Sequence, residues 1–153
     1  MNKSIKVFIL LLAVAICSMP LSLDARKSSR SSSGMRSGVV HKINATQFKR
    51  LIANYSETPY VLKCKRPVIV DFYATWCGPC QRLAPVMESV ASYYAGTVDF
   101  YAVDAEKYRQ VANTYGVNCY PTVFLFNPNT RRSYYFTGGL DWNELVNWID
   151  RRL

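Results

Sequence analysis

Histidine occurs once in this 153-residue chain, as His41, and the five cysteines include only one closely spaced pair, Cys77 and Cys80. Tetrahedral zinc sites draw on four Cys or His ligands, as a rule in two close pairs. Cys64, Cys119 and His41 stand apart from that pair and from one another, so the inventory argues against a metal site. The leading apolar run, Val7 to Cys17, is 11 residues long, where a bilayer-spanning helix needs about 20. Acidic residues are scarce as well: 10 Asp and Glu face 19 Lys and Arg, a net charge of +9. No internal repeat is present. No basic helix or aromatic-interleaved basic cluster supports nucleic-acid binding.

What remains is a chain for one domain. Half the residues are hydrophobic, and 11 Tyr, 7 Phe and 3 Trp supply a core, which excludes disorder of the whole chain. The start is a different matter. "MNKSIKVFILLLAVAICSMPLSLDA" places Lys3 and Lys6 before the apolar run, then Pro20 and the small residue Ala25. That is the layout of a secretory signal peptide over residues 1–25. "RKSSRSSSGMRSG", Arg26 to Gly38, follows with four basic residues, no acidic one and much serine; it is expected to be a flexible tether. Loss of residues 1–25 would take the charge from +9 to +8, and residues 38–153 alone carry +4. About half the excess charge therefore sits on the tether, where it serves solubility.

The rest of the chain alternates strand and helix patterns. "VVHKI" (Val39–Ile43) reads as a strand, and Asn44 caps a helix with Gln47 three residues on. "SETPYVLKCKR" reads as a basic turn. "PVIVDFYA" (Pro67–Ala74) is apolar except for Asp71, as befits a strand buried on both faces. A helix is expected to follow from Cys77, bent at Pro85 or with its hydrogen bonding interrupted there. "VDFYAVDA" is a strand, "YRQVANTYG" a short helix closed by Gly116, "PTVFLF" a strand, and "RRSYYFTGG" an edge strand. Asp141 and Glu144 open a last helix. The order βα, βαβα, ββα predicts an α/β fold, a central mixed sheet with helices on both faces.

A Cys-x-x-Cys pair can be a metal clip, a structural staple or a redox switch. Metal is disfavoured above. A staple closing so short a loop adds little chain-entropy stabilisation. The surroundings suit a switch. The strand ends where the helix begins, so Cys77 is expected in the first helical turn, where unpaired N–H groups and the helix dipole favour a thiolate. A free thiol, with a pKa of about 8.5, is only a few per cent ionised at neutrality. Cys80, one turn on, lies on the same side of the helix and is placed to attack a mixed disulfide.

"VDFYATWCGPC", "YGVNCYPTVFLF" and "TGGLDWNEL" together resemble the thioredoxin family in motif, order and spacing, over residues 39–153. The resemblance implies a thioredoxin fold and a protein-disulfide reductase working by reversible Cys77–Cys80 dithiol–disulfide exchange. It makes Cys77 the attacking thiol, Cys80 the resolving thiol and Asp71 the buried carboxylate that takes the proton of Cys80. A carboxyl in an apolar strand has a raised pKa, because burial disfavours its charge. Pro121 resembles the family's cis-proline, and Trp76, Gly78, Pro79, Tyr120 and Gly138 frame the substrate groove. Each has a plainer reading beside this one: Asp71 a hydrogen-bonded core group, Pro121 a trans proline opening a strand, Trp76 packing, Gly138 a turn, Tyr120 a cover for the disulfide. No cofactor is implied. The implied partners are disulfide-containing client proteins and an electron donor, either a membrane electron transducer or a thioredoxin reductase; the chain is expected to be monomeric.

The leader implies export, with a bacterial periplasm favoured over a secreted or membrane-tethered form. Asn44-Ala-Thr and Asn54-Tyr-Ser are glycosylation sequons that matter only in a eukaryotic secretory setting. Two residues depart from the family: Ala102 and Gln81 stand where many thioredoxins carry lysine. Cys119 is expected near the substrate face, and Cys64 has no catalytic role. A net oxidase or isomerase, or a non-catalytic binding module on the same fold, are the alternatives to a reductase.

Overall fold

A computed structural model describes residues 38–56 and 61–153. The expected signal peptide and residues 26–37 of the expected tether lie outside the described residues. Gly38, the last tether residue, takes a left-handed φ of +81°, and its carbonyl accepts a hydrogen bond from the Ser92 hydroxyl. A Cβ there would stand 3.0 Å from that of Ala95. The chain is therefore already seated on the folded domain one residue before the first expected strand.

The elements run β1 (Val40–Lys42), α1 (Ala45–Leu51), β2 (Ala53–Asn54), β3 (Val61–Leu62), β4 (Val68–Tyr73), α2 (Gly78–Tyr93), β5 (Asp99–Asp104), α3 (Arg109–Thr114), β6 (Thr122–Asn127), β7 (Arg132–Thr137) and α4 (Trp142–Asp150). Five strands form one mixed sheet in the order β1-β5-β4-β6-β7. β1, β5 and β4 are parallel, while β6 and β7 are antiparallel to their neighbours.

Strand β4 sits at the centre, and its alternation builds two cores. Val68, Val70 and Phe72 point to one face, where Phe48 and Ile52 from the α1 segment and Val111 of α3 pack with Phe124 and Phe126. Ile69 points to the other, against Leu83, Met87 and Val90 of α2 and Leu145 and Ile149 of α4. Asp71 shares this second face and is buried among it.

Both expected capping boxes are present. Asn44 and Gln47 exchange side-chain-to-backbone bonds of 2.9 Å each, and Asp141 and Glu144 do the same at 2.9 Å. Each satisfies N–H groups that the first turn leaves without helical partners.

One expectation needs correction. The stretch read as a turn holds β3, which pairs antiparallel with β2 through Ala53 opposite Leu62. Two residues are too few for periodicity to show; burial of Ala53 against the Phe48 core fixes them there. At Pro85 the helix loses one backbone hydrogen bond, as expected, and α2 still runs from Gly78 to Tyr93. Pro85 stands on the exposed side of α2, as does Gln81 four residues back, so the carbonyl that loses its donor has water available.

Candidate active site

The carboxyl end of β4 leads through Ala74, Thr75 and Trp76 into α2. Cys77 is the N-cap of α2 rather than a residue of its first turn, and its Sγ accepts from the Cys80 N–H at 3.2 Å. A sulfur at the cap lies in front of the unpaired amides, the position where a helix N-terminus best meets negative charge. Pro79 is in the first turn, where its missing N–H costs no helical bond. Cys77 and Cys80 are joined in a disulfide with their Cα atoms 5.3 Å apart. Each cysteine is 4% exposed, packed with Ala74, Tyr73 and Tyr120.

Two other segments meet this disulfide region. The Tyr120–Pro121 peptide is cis, and the Pro121 carbonyl accepts from the Gly138 N–H at 2.9 Å. Gly138 holds a φ of +89°, a left-handed conformation that disfavours any side chain. Trp76 is 68% exposed, yet it is held from two sides. Its indole N–H donates to Glu106 at 2.8 Å, and its ring meets that of Tyr120 edge-on at 6.2 Å. Pro79 shares a shallow depression with Gly139 and Leu140, which brings the β7–α4 connection to the start of α2. Cys77, Cys80, Trp76, Tyr120 and Pro121 thus lie at one end of the sheet, with Gly78 and Pro79 on the helix start and Gly138 tied to Pro121.

Asp71 lies behind the disulfide. It is 5% exposed, and its Oδ1 has no hydrogen-bond partner among the described residues. Burial raises its pKa from the ordinary carboxyl range to about 7. Asp71 and Cys80 line a cleft of about 290 Å³ together with Lys42, Tyr73, Glu88 and Ala102. The cleft exists because Ala102, directly across from Asp71 on β5, contributes only a methyl group.

Glu106, Glu88 and Lys42 join the site without any local signal in the sequence. Glu106 is 30 residues from the tryptophan it holds, and Lys42 reaches the cleft only through strand order.

The two other cysteines among the described residues are unpaired. Cys64 is half-buried against the Phe48 core, and burial is the main cause of a pKa raised to about 11, so it is a poor nucleophile at neutrality. Cys119 is exposed, two residues before Pro121, with its sulfur 3.8 Å from the Thr122 hydroxyl. Among the described residues no group of three His, Cys, Asp or Glu side chains is placed to hold a metal.

A Cys-x-x-Cys disulfide at a helix N-terminus, packed against the tyrosine that precedes a cis-proline and sharing a cleft with a buried carboxyl, is built for thiol–disulfide exchange. The thioredoxin family model matches residues 39–151. Thioredoxin Y of rice chloroplasts is 33% identical over 124 residues, covering 81% of this chain and 71% of the relative. A thioredoxin-like protein of Synechocystis is 41% identical over 78 residues, 51% of this chain and 72% of the relative. The crystal structure of chloroplastic thioredoxin z superposes with a TM-score of 0.63 at 26% identity, covering 74% of this chain and 93% of that one. The chain belongs to the thioredoxin family. It has the thioredoxin fold and is a thiol–disulfide oxidoreductase whose substrates are disulfides and whose donor is a reductase.

Proposed function

We propose that this protein reduces protein disulfides outside the compartment in which it is made, with Cys77 as nucleophile, Cys80 as resolving thiol and Asp71 as the base for Cys80. The Cys77 thiolate attacks one sulfur of a client disulfide, forming a mixed disulfide and releasing the other client sulfur as thiolate. Asp71 takes the proton of Cys80. The Cys80 thiolate then attacks Cys77, expelling the second client thiolate and closing the Cys77–Cys80 disulfide. Two electrons pass from the dithiol to the client, and a reductase or membrane electron transducer returns them.

The observation that carries this reading is the placement of the Cys77–Cys80 disulfide at the N-cap of α2 beside the cis Tyr120–Pro121 peptide. Cys77 is only 4% exposed, so a client sulfur must be led in by chain on either side of it. An extended client segment fits between Trp76 and the Pro121–Gly138 link, with Gly78, Pro79 and Tyr120 bordering it. Gly-Pro between the cysteines favours net reduction over oxidation.

Residues 1–25 act as the export signal and 26–38 as a tether before the domain at 39–153. The basic-then-apolar leader supports export, and a periplasm is the favoured destination. Two of the relatives above are chloroplastic thioredoxins.

Reduction of insulin tests the reading. With dithiothreitol as donor, the wild-type chain is expected to accelerate precipitation of the insulin B chain, and Cys77→Ser to fall to the uncatalysed rate. Equal activity in the two would overturn it and leave a binding module.

A further inference from the structure

The cleft behind the disulfide holds one cation among the residues that line it, Lys42. Lys42, Ala102 and Asp71 form one row across three neighbouring strands, because Lys42 pairs with Ala102 and Ala102 with Asp71. Side chains in such a row point to the same face. Two strand spacings put the Lys42 and Asp71 backbones about 10 Å apart, a gap that a four-carbon lysine stem and an aspartate arm close between them. Within the row, the residue between the two is Ala102, whose side chain is a methyl group. The Lys42 ammonium now sits 5.7 Å from the centre of the Tyr73 ring, and Tyr73 is two residues along β4 from Asp71 on the same face.

The other ionisable groups facing Asp71 do not offer this charge. From α2 come Glu88, which accepts the Val40 N–H at 3.1 Å, and Cys80. From β4 comes Tyr73, whose ring carries the ammonium. Opposite Asp71, β5 presents Ala102 and β6 presents Val123. Glu88 would oppose a charge on Asp71, and the buried Oδ1 has no donor of its own among the described residues.

We propose that Lys42 is a positioning residue for Asp71, its ammonium moving from the Tyr73 ring into the cleft to face the carboxylate whenever Asp71 is charged. The lysine thereby supports the proton-accepting state that resolution by Cys80 needs, which rests on the base role given to Asp71 above. An ion pair formed only after proton transfer stabilises the product of that transfer. Before transfer, the ammonium keeps its water and its ring contact.

Titration of the Asp71 side-chain carboxyl carbon by NMR in the oxidised full chain tests this directly. Lys42→Met is expected to raise the Asp71 midpoint by about one pH unit, and Lys42→Arg to restore it. An unchanged Asp71 midpoint in Lys42→Met overturns the proposal, as does a rise that Lys42→Arg fails to reverse, since that marks lost packing. The base role is read separately, from the rate at which Cys80 releases a Cys77 mixed disulfide. If Asp71→Asn leaves that rate unchanged while the NMR midpoints still move, the ion pair stands and the base role falls.

Discussion

The two faces of the central sheet are packed in different ways. On the face covered by α1 and α3, rings fill the space: Phe48 meets Phe72, Phe126, Tyr55 and Tyr115, with centroids 5.4 to 6.1 Å apart. Phe48, Phe72 and Phe126 are wholly buried there. On the face covered by α2 and α4, packing is aliphatic near Ile69 and Leu125 but fails toward the disulfide, where the cleft over Ala102 reaches Asp71 and Cys80. One face gains stability from close packing. The other gives some up, keeping a carboxyl in a setting that raises its pKa and a route by which its proton can reach water.

Breaking the packed face should have the largest effect. Phe48→Ala removes a fully buried ring with four ring neighbours and is expected to cost about 3–5 kcal/mol in urea unfolding. The folded fraction should still reduce insulin at close to the wild-type rate, because Phe48 is no part of the disulfide cluster.

Asp71→Asn tests the open face, and its sign depends on pH. With a folded-state pKa of about 7 against about 3.9 unfolded, the folded protein holds a proton that the unfolded chain has lost across that interval. Stability on account of Asp71 is therefore full below about pH 4 and falls as pH rises toward 7. At roughly 1.4 kcal/mol per pH unit the loss totals about 4 kcal/mol. Asp71→Asn should flatten this slope, making the variant more stable than wild type at pH 8 and little different at pH 4. Urea midpoints at several pH values measure it; a wild-type curve no steeper than that of the variant would refute the raised pKa. In the same variant, release of the mixed disulfide should slow.

The smallest effect concerns the link between Gly138 and Pro121 at the site. Gly138→Ala adds a methyl that meets nothing within 4 Å, so its cost is the left-handed backbone alone, about 1–2 kcal/mol. Because Gly138 donates to the Pro121 carbonyl, the variant should also raise the KM for insulin. A loss of stability with KM unchanged would confine Gly138 to the turn.

Legibility in the sequence followed the range of the interaction. The buried strand around Asp71, the capping boxes at Asn44 and Asp141 and the Cys77–Cys80 pair are written in residues a few positions apart. The β2–β3 ladder has no signal in the sequence: β3 lies in the stretch that reads as a turn, β2 at the end of the stretch that reads as the first helix, and two-residue strands are too short to carry a period. The helix continues through Pro85, because the burial of Leu83, Met87 and Val90 along one side of α2 outweighs one missing hydrogen bond on the exposed side.

By itself, the sequence determined the strand–helix order of the five-stranded sheet, the two cores through the alternation along β4, and the thiol chemistry of a cysteine pair at a helix start. These follow from local geometry: a period of two, a period of 3.6, and unpaired amides at a helix end. Only the tertiary structure decided that Glu106 holds Trp76, that Gly138 bonds Pro121, and that Lys42 shares a cleft with Asp71. Those residues meet because strands distant in the chain lie side by side. No local pattern encodes which strand becomes which neighbour; burial of both sheet faces together selects it.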